Sequence, residues 1–246
     1  MKNVIIVAAH KPYDFPKESL YLPVQAGAAC HDRLDMAGDD SGESISEKNG
    51  LYCELTALYW AWKNIPFDTL GLCHYRRYFE EPGKKEPLRE ETLEKLMGEA
   101  PVILPKKRNY RIETGESQFV HAHGEESLSI LRDVLRELRP GYLSAFDRSM
   151  GRTSGHRFNM FIMKREQAEA YCDWLFEILF AVEKKMENPA PRMLGFLAER
   201  LMDAWIETTG TAYTELAVYS TEKTNWVKKG GAFLMRKFRG RKDGTK

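Results

Sequence analysis

A chain of 246 residues is long enough to bury a sizeable core, and it reads as one domain over residues 1–222 with a basic tail, 223–246, attached. Its 37 basic and 36 acidic residues leave a net charge of +1, so no global excess of positive charge points to nucleic acid. Four cysteines (Cys30, Cys53, Cys73 and Cys172) lack paired metal or redox spacing and read as free thiols of a reducing compartment. The N-terminal apolar run is too short for a signal peptide and no segment reaches membrane-spanning length, so the chain is expected in the cytoplasm.

Asn3 to Ala9 is β-branched and continuous, which predicts a strand buried on both faces. It ends in His10-Lys11-Pro12-Tyr13, a polar cluster at a strand's carboxyl end. Residues 14–46 are rich in Gly, Asp and Pro and predict irregular chain, with one short extended piece at Tyr21–Gln25. Asp32, Asp35, Asp39 and Asp40 are oxygen donors suited to a hard cation, against the plainer reading of a solvated acidic loop. Ser46 is placed to cap a helix running to about Lys63, with Tyr52, Leu55, Leu58, Tyr59 and Trp62 at helical spacing and Asn49 and Glu54 interrupting them.

Leu70 to Cys73 predicts a second buried strand, and it stops abruptly at His74-Tyr75-Arg76-Arg77-Tyr78. In an open α/β sheet, ligands bind at the carboxyl ends of strands. Two adjacent arginines and a histidine there suit an anion, because guanidinium offers phosphate a planar fork of donors. The alternative is a solvated charge run, but such runs are usually Lys/Glu-rich and lack interleaved aromatics.

Further along, the pattern predicts a helix at Glu90–Glu99, a strand over residues 100–105, polar loop over 106–116 and a helix over 124–138. His121-Ala-His123 is half of a metal site without the other half. A buried strand is expected at residues 158–163, opened by Gly155-His156-Arg157. Amphipathic helices follow at 167–186 and 193–207, then a final strand at 212–219. Strands alternating with helices predict an α/β sandwich with a mainly parallel central sheet. There is no GxGxxG, Walker loop, HExxH or GxSxG. Residues 223–246 mix nine Lys and Arg with Trp226, Phe233, Leu234, Met235 and Phe238, the composition of a segment lying on an anionic membrane surface or of a soluble tail.

Several of these stretches together resemble one bacterial family. They are His10-Lys-Pro-Tyr13, Ile45-Ser-Glu-Lys-Asn49, Tyr52-Cys-Glu-Leu-Thr-Ala-Leu-Tyr-Trp-Ala-Trp-Lys-Asn64 and Gly71-Leu-Cys-His-Tyr-Arg-Arg-Tyr-Phe79. With them go Asn159-Met-Phe-Ile-Met163, Tyr171-Cys-Asp-Trp-Leu-Phe176 and Arg192-Met-Leu-Gly-Phe-Leu-Ala-Glu-Arg-Leu201. The family is domain of unknown function 4422, found in capsule, exopolysaccharide and lipopolysaccharide O-antigen biosynthesis, and the matching motifs run from His10 to about Trp205.

The resemblance implies a GT-A-like αβα sandwich and a glycosyltransferase. Several characterised members use UDP-galactofuranose, so the implied reaction is inverting transfer of a hexose, galactofuranose first, from a UDP-sugar to a lipid-linked or oligosaccharide acceptor. On that reading His10, Lys11 and Tyr13 hold the nucleoside, and Asn49, Glu54 and Tyr59 bring a helix face into the same cleft. His74, Arg76 and Arg77 would neutralise the leaving UDP. Most GT-A enzymes carry Asp-x-Asp where this chain has His74-Tyr75-Arg76. No metal ligand is therefore assigned, and a Mn or Mg ion is left open. Glu199, a carboxylate beside Arg200 in an apolar helix start, is the first choice of general base, with an Arg/Glu surface pair as its plainer reading and Asp147 as the alternative base. His156, Arg157, Asn159 and Arg200 are expected at the sugar or acceptor. Two rivals stand beside this reading: a non-catalytic nucleotide-sugar-binding or scaffold subunit, and a phosphosugar transferase releasing UMP or CMP.

Overall fold

The continuous apolar run at the N-terminus becomes β1 (Asn3–Ala9), all seven residues buried, at the heart of the computed structural model, which describes residues 2–110 and 112–222. After it come β2 (Tyr21–Gln25), β3 (Ala37–Gly38), α1 (Asn49–Tyr52), α2 (Leu55–Asn64), β4 (Thr69–His74), β5 (Arg77–Phe79) and α3 (Glu90–Glu99). The middle of the chain gives β6 (Val102–Pro105), β7 (Arg108–Asn109), α4 (Gly115–His123), α5 (Glu126–Leu138), α6 (Pro140–Gly151) and β8 (Ser154–Gly155). The last stretch gives β9 (Phe161–Lys164), α7 (Arg165–Lys185), α8 (Met193–Ala198), α9 (Met202–Thr209), β10 (Tyr213–Leu216) and β11 (Val218–Ser220).

The main sheet runs β10-β6-β9-β4-β1-β2-β3, with β5 and β11 branching from the end of β4. Strand β1 pairs in parallel with both β2 and β4, so Ala8 stands between Val24 and His74 at one end of the sheet. The sheet is mostly parallel, but β9 lies antiparallel between β4 and β6. That reversal brings the segment leading into β9 to the carboxyl end of β4. Gly71, in the middle of β4, has no room for a side chain: a Cβ would lie 3.0 Å from Ile5 Cγ1, 3.1 Å from Ile162 Cγ1 and 3.2 Å from the Phe161 carbonyl.

Alternate residues of β1 and β4 feed two cores. Val4, Ile6, Leu70 and Leu72 meet the helices on one face, through residues such as Leu58, Leu131, Leu175 and Trp205. Ile5, Val7 and Cys73 meet α3 and β5 on the other, through Leu93, Met97, Tyr78 and Phe79. Burying each such aliphatic side chain contributes roughly 1.5–3 kcal/mol, which makes this sandwich a rigid base for its loops. None of the helices among the described residues is long and apolar enough to cross a membrane.

The structure changes four sequence expectations. The helix expected from Ser46 to Lys63 is broken at Cys53, whose φ of 53° ends α1 before α2 begins. The helix expected over 193–207 is interrupted at Glu199–Leu201, between α8 and α9. Two helices were not foreseen: α4, capped by Thr114 Oγ1 accepting from Ser117 N at 3.1 Å, and α6, opened by Pro140 in its first turn. Finally, His121 and His123 both lie in α4, two positions apart, and so face different ways: His121 meets Glu113 and His123 stacks on Phe196. The membrane-surface reading of residues 223–246 lies outside the described residues.

Candidate active site

A cleft of about 480 Å³ opens at the carboxyl ends of β1 and β4. His10 enters it directly after β1, His74 from the last position of β4, Tyr75 and Arg76 from the turn that follows, and Arg77 from the first position of β5. The break between α1 and α2 adds Cys53 and Glu54, and Asn49 projects from the start of α1. Phe158 comes from the lead into β9, Arg192 from the residue before α8, and Glu199 from the gap between α8 and α9. Most contributors stand at strand ends, helix ends or helix interruptions.

Positive charge dominates this cleft, and aromatic rings hold the cations in place. The Arg76 guanidinium lies 5.0 Å from the Tyr75 ring centre and that of Arg77 4.9 Å from Phe158. Arg192 lies 5.1 Å from Phe196. Such cation–ring contacts fix direction as well as adding about 0.5–1 kcal/mol each. His10, His31 and His74 also line the cleft. Burial, then the charges of Lys11, Arg76, Arg192 and His31, hold His10 below the usual imidazole range, so the field here disfavours any further cation. Arg76 also meets Glu222 at 3.1 Å, an exposed pair of little worth that an incoming anion can displace.

Two carboxylates stand among these cations. Glu54 accepts from Asn159 Nδ2 at 2.8 Å and lies 3.9 Å from His74 Nε2. His74 Nε2 lies 2.5 Å from the Phe158 carbonyl, which can only accept, so the proton sits on that nitrogen. Burial pushes the Glu199 carboxyl above the usual range; Glu54 adds to this, while Arg200, His74 and Arg157 oppose it without reversing it. A carboxyl raised in this way is suited to accept a proton near neutral pH.

Backbone strain gathers at the same place. Among the described residues four non-glycine residues have positive φ: Cys53 (53°), Phe158 (87°), Asn159 (50°) and Arg192 (68°). Three of them line the cleft, and Asn159 holds Glu54. Each such conformation costs about 1–3 kcal/mol and persists only where its surroundings over-determine it. Here the restraints are visible. Arg192 N donates to the Gly50 carbonyl at 2.8 Å, and Asn159 Nδ2 donates also to the Gly195 carbonyl at 3.0 Å. Asn49 Nδ2 donates to the Cys53 carbonyl at 2.8 Å. Gly27, at φ 75°, lies so close to Asn49 that a Cβ would fall 2.6 Å from its Cγ.

The remaining sequence-expected residues fall into three groups. Lys11 and Tyr13 stand beside the cleft rather than in it: Lys11 lies over Tyr75 at 5.4 Å, and the Tyr13 hydroxyl meets Thr221 at 2.6 Å. His156, Arg157 and Arg200 are buried behind Glu199 and act as scaffold. His156 Nδ1 lies 2.5 Å from Asp203 and its Nε2 2.9 Å from Glu215, while Arg157 Nη1 donates to the Glu199 carbonyl at 3.3 Å. Arg200 donates to Gln118 at 2.7 Å.

Tyr59 and Asp147 require correction, since neither reaches the cleft. Tyr59 lies on the far side of α2, donating to Glu43 at 2.6 Å and packed on Phe176, because a residue five positions after Glu54 faces the other side of a helix. Asp147 sits on the outer face of α6, paired with Arg132 at 2.8 Å. Conversely, sequence reasoning assigned no role to His31, Cys53, Phe158 or Arg192. Arg192 had a signal, a lone basic residue opening an apolar helix; His31 and Phe158 had none.

No group of three His, Cys, Asp or Glu suited to a metal ion occurs among the described residues. Asp39 is instead fully buried, accepting from Gly27 N at 2.9 Å, Ala28 N at 3.0 Å and the Ser46 hydroxyl, and it shapes the loop that carries His31. Where an Asp-x-Asp would hold a divalent ion, this chain presents guanidinium groups, which repel one. The donor set there does not fit a metal.

Comparison with known proteins agrees with this architecture. A solved structure described as WbbM bifunctional glycosyltransferase, in its apo form, superposes with a TM-score of 0.77 at 27% identity, covering 91% of this chain and 46% of that one. The present chain thus spans less than half of that protein. No curated protein matches it. The family described as domain of unknown function DUF4422 matches residues 4–210, which takes in every strand of the main sheet up to β9 and every element that builds the cleft, and the chain belongs to that family.

Proposed function

We propose that the chain is a glycosyltransferase of bacterial surface-polysaccharide synthesis that moves a hexose from a UDP-sugar to a glycan acceptor. The observation that carries this reading is the pairing, in one cleft at the strand ends, of three ring-stacked arginines with a carboxyl of raised pKa. Arg76, Arg77 and Arg192 take the diphosphate, and His10 borders the nucleoside. Glu199 accepts the acceptor hydroxyl proton as that oxygen attacks the anomeric carbon. The bond from that carbon to the UDP oxygen breaks with its electron pair on UDP, where the guanidiniums stabilise the charge. One displacement with one base inverts the anomeric centre, and Glu54, held by Asn159, is placed to bind sugar hydroxyls.

The likeness to a glycosyltransferase over 91% of the chain supports the reaction class. Galactofuranose as the sugar and peripheral membrane contact through residues 223–246 belong to the same proposal, and are read by a donor screen and by liposome co-sedimentation. The deciding experiment is UDP release from candidate UDP-sugars, with and without acceptor, in buffer containing EDTA. Acceptor-stimulated UDP release that survives chelation is the expected result. Release of UMP or CMP would assign a phosphosugar transferase instead, and UDP binding without turnover on any donor would assign a nucleotide-sugar-binding subunit.

A further inference from the structure

Beside the cleft lies a second groove of about 440 Å³, formed where the segment after β1 meets β5 and β11. Its walls are the half-exposed rings of Tyr13, Phe15 and Tyr219, with Asp14 and Thr221 at the rim. Pro16 and Pro87 stiffen the chain on either side. The rings rest on the second core, over Tyr78 and Val218, so they are rigidly backed. A soluble surface rarely gathers rigid aromatics around a hollow with so few polar groups unless something binds there.

The groove and the cleft share one partition. Tyr75 faces the cleft and Tyr13 the groove, with ring centres 5.1 Å apart and nearly perpendicular. The Tyr78 hydroxyl at the groove floor donates to the Tyr75 carbonyl at 3.2 Å, and Thr221 N donates to the Arg76 carbonyl at 3.2 Å. A chain of sugars leaving the cleft past Tyr75 therefore enters this groove after crossing a single aromatic ring.

We propose that this groove is the acceptor subsite and binds a hexose ring of the acceptor glycan, an inference that rests on the glycosyl-transfer reading of the cleft. A hexose has an apolar face of C–H bonds and a rim of hydroxyls. The groove offers the matching surface: flat rings for the face, and the Asp14 carboxylate with the tyrosine and threonine hydroxyls for the rim. Phosphate does not suit it, since Asp14 would repel the anion. An apolar peptide would cover the Asp14 carboxylate without giving it a partner.

The test uses the full chain, saturated with UDP, and methyl glycosides of galactofuranose, galactopyranose and glucopyranose as probes. Saturation-transfer NMR from the aromatic protons should mark the C–H face of at least one glycoside. Tyr219→Ala should weaken that binding by about tenfold, the size of effect one ring contact supports. Asp14→Asn, at an exposed position, should weaken it by about fivefold through loss of a charge-assisted hydrogen bond. Neither should alter UDP affinity measurably; Asp14→Asn should keep the parent melting temperature, whereas Tyr219→Ala gives up packing on the second core and should melt a few degrees lower while staying folded. Failure of all three glycosides to bind the parent chain, or equal binding by parent and both variants, would overturn the assignment. Loss of UDP binding in the parent chain, with glycoside binding intact and ring-dependent, would remove the transfer reading and leave the groove a glycan site.

Discussion

Glu199 carries a conflict between stability and use. Burial, reinforced by Glu54, raises its pKa in the folded chain, so the stability linked to this group is complete below the ordinary glutamate range and is lost as pH rises through the folded value. At neutral pH the parent protein therefore bears the penalty of a buried charge that Glu199→Gln does not. The variant should melt higher than the parent at pH 8, with the gap closing toward pH 4, each kcal/mol appearing as about 2–4 °C in a chain of this size. Transfer should meanwhile fall by ~10²–10⁴-fold, the usual loss on removing a general base, while UDP affinity persists. A variant that transfers at the parent rate would rule Glu199 out as the base. The arginines are expected to behave differently. Arg77→Ala and Arg192→Ala should each weaken UDP binding by about 1.5–3 kcal/mol, the worth of a hydrogen bond to a charged group, without unfolding the protein. Calorimetry giving parent-like affinity in both would show that the diphosphate lies elsewhere.

At the scale of elements, the cleft depends on helices that stop where their neighbours could have continued. Cys53 parts α1 from α2, and residues 199–201 part α8 from α9, so that Glu54 and Glu199 reach the cleft from interrupted chain. The second interruption is anchored from behind by Asp203, in the first turn of α9. It accepts from both the ring and the backbone of His156 and lies 3.4 Å from Arg157. Burial alone would raise the Asp203 carboxyl, but the His156 hydrogen bonds and the charges of His156 and Arg157 outweigh it and the net direction is down. Its stabilisation is thus present above the ordinary aspartate range and lost as pH falls through the depressed value. Asp203→Ala strands a buried arginine and histidine and should destabilise the fold by about 3–5 kcal/mol in denaturant titrations. Asp203→Asn keeps the shape and should lose less. Equal, small losses in both would mean that the ion cluster is dispensable to α9.

On the scale of the whole molecule the charges nearly cancel, at a net +1, yet the fold sorts them so that one cleft is strongly cationic. Low-dielectric walls around such a cleft concentrate its field and draw in anions. UDP binding should therefore weaken as salt rises. It should also take up protons on the acid side of neutrality, because the anion opposes the burial and the cations that now hold His10 down. Calorimetric titrations in buffers of differing ionisation enthalpy would read that uptake directly. Binding that neither takes up protons nor responds to salt would place the nucleotide away from His10 and the arginines.

Much of this was legible in the sequence, for local reasons. Strand β1 and helix α3 have the bounds that apolar continuity and helical spacing predict, because both patterns report burial of a single element. The positions of His10, His74, Arg76 and Arg77 were legible because polar residues that end a buried apolar strand come to lie at its carboxyl end, outside the core. Tyr59 was misplaced because it stands five positions after Glu54, and residues at that spacing do not share a helix face. Asp147 was misplaced because a carboxylate near an arginine reads alike on a surface and in a site. The sequence by itself determined the α/β sandwich, the buried strands and the cationic strand ends. Only the tertiary structure decided that β9 runs antiparallel, that Phe158, Arg192 and Glu199 converge on those ends, and that Tyr13 turns instead to a second groove. Strand direction and loop convergence come from pairings between residues far apart in the chain, and no local pattern of hydrophobicity records them.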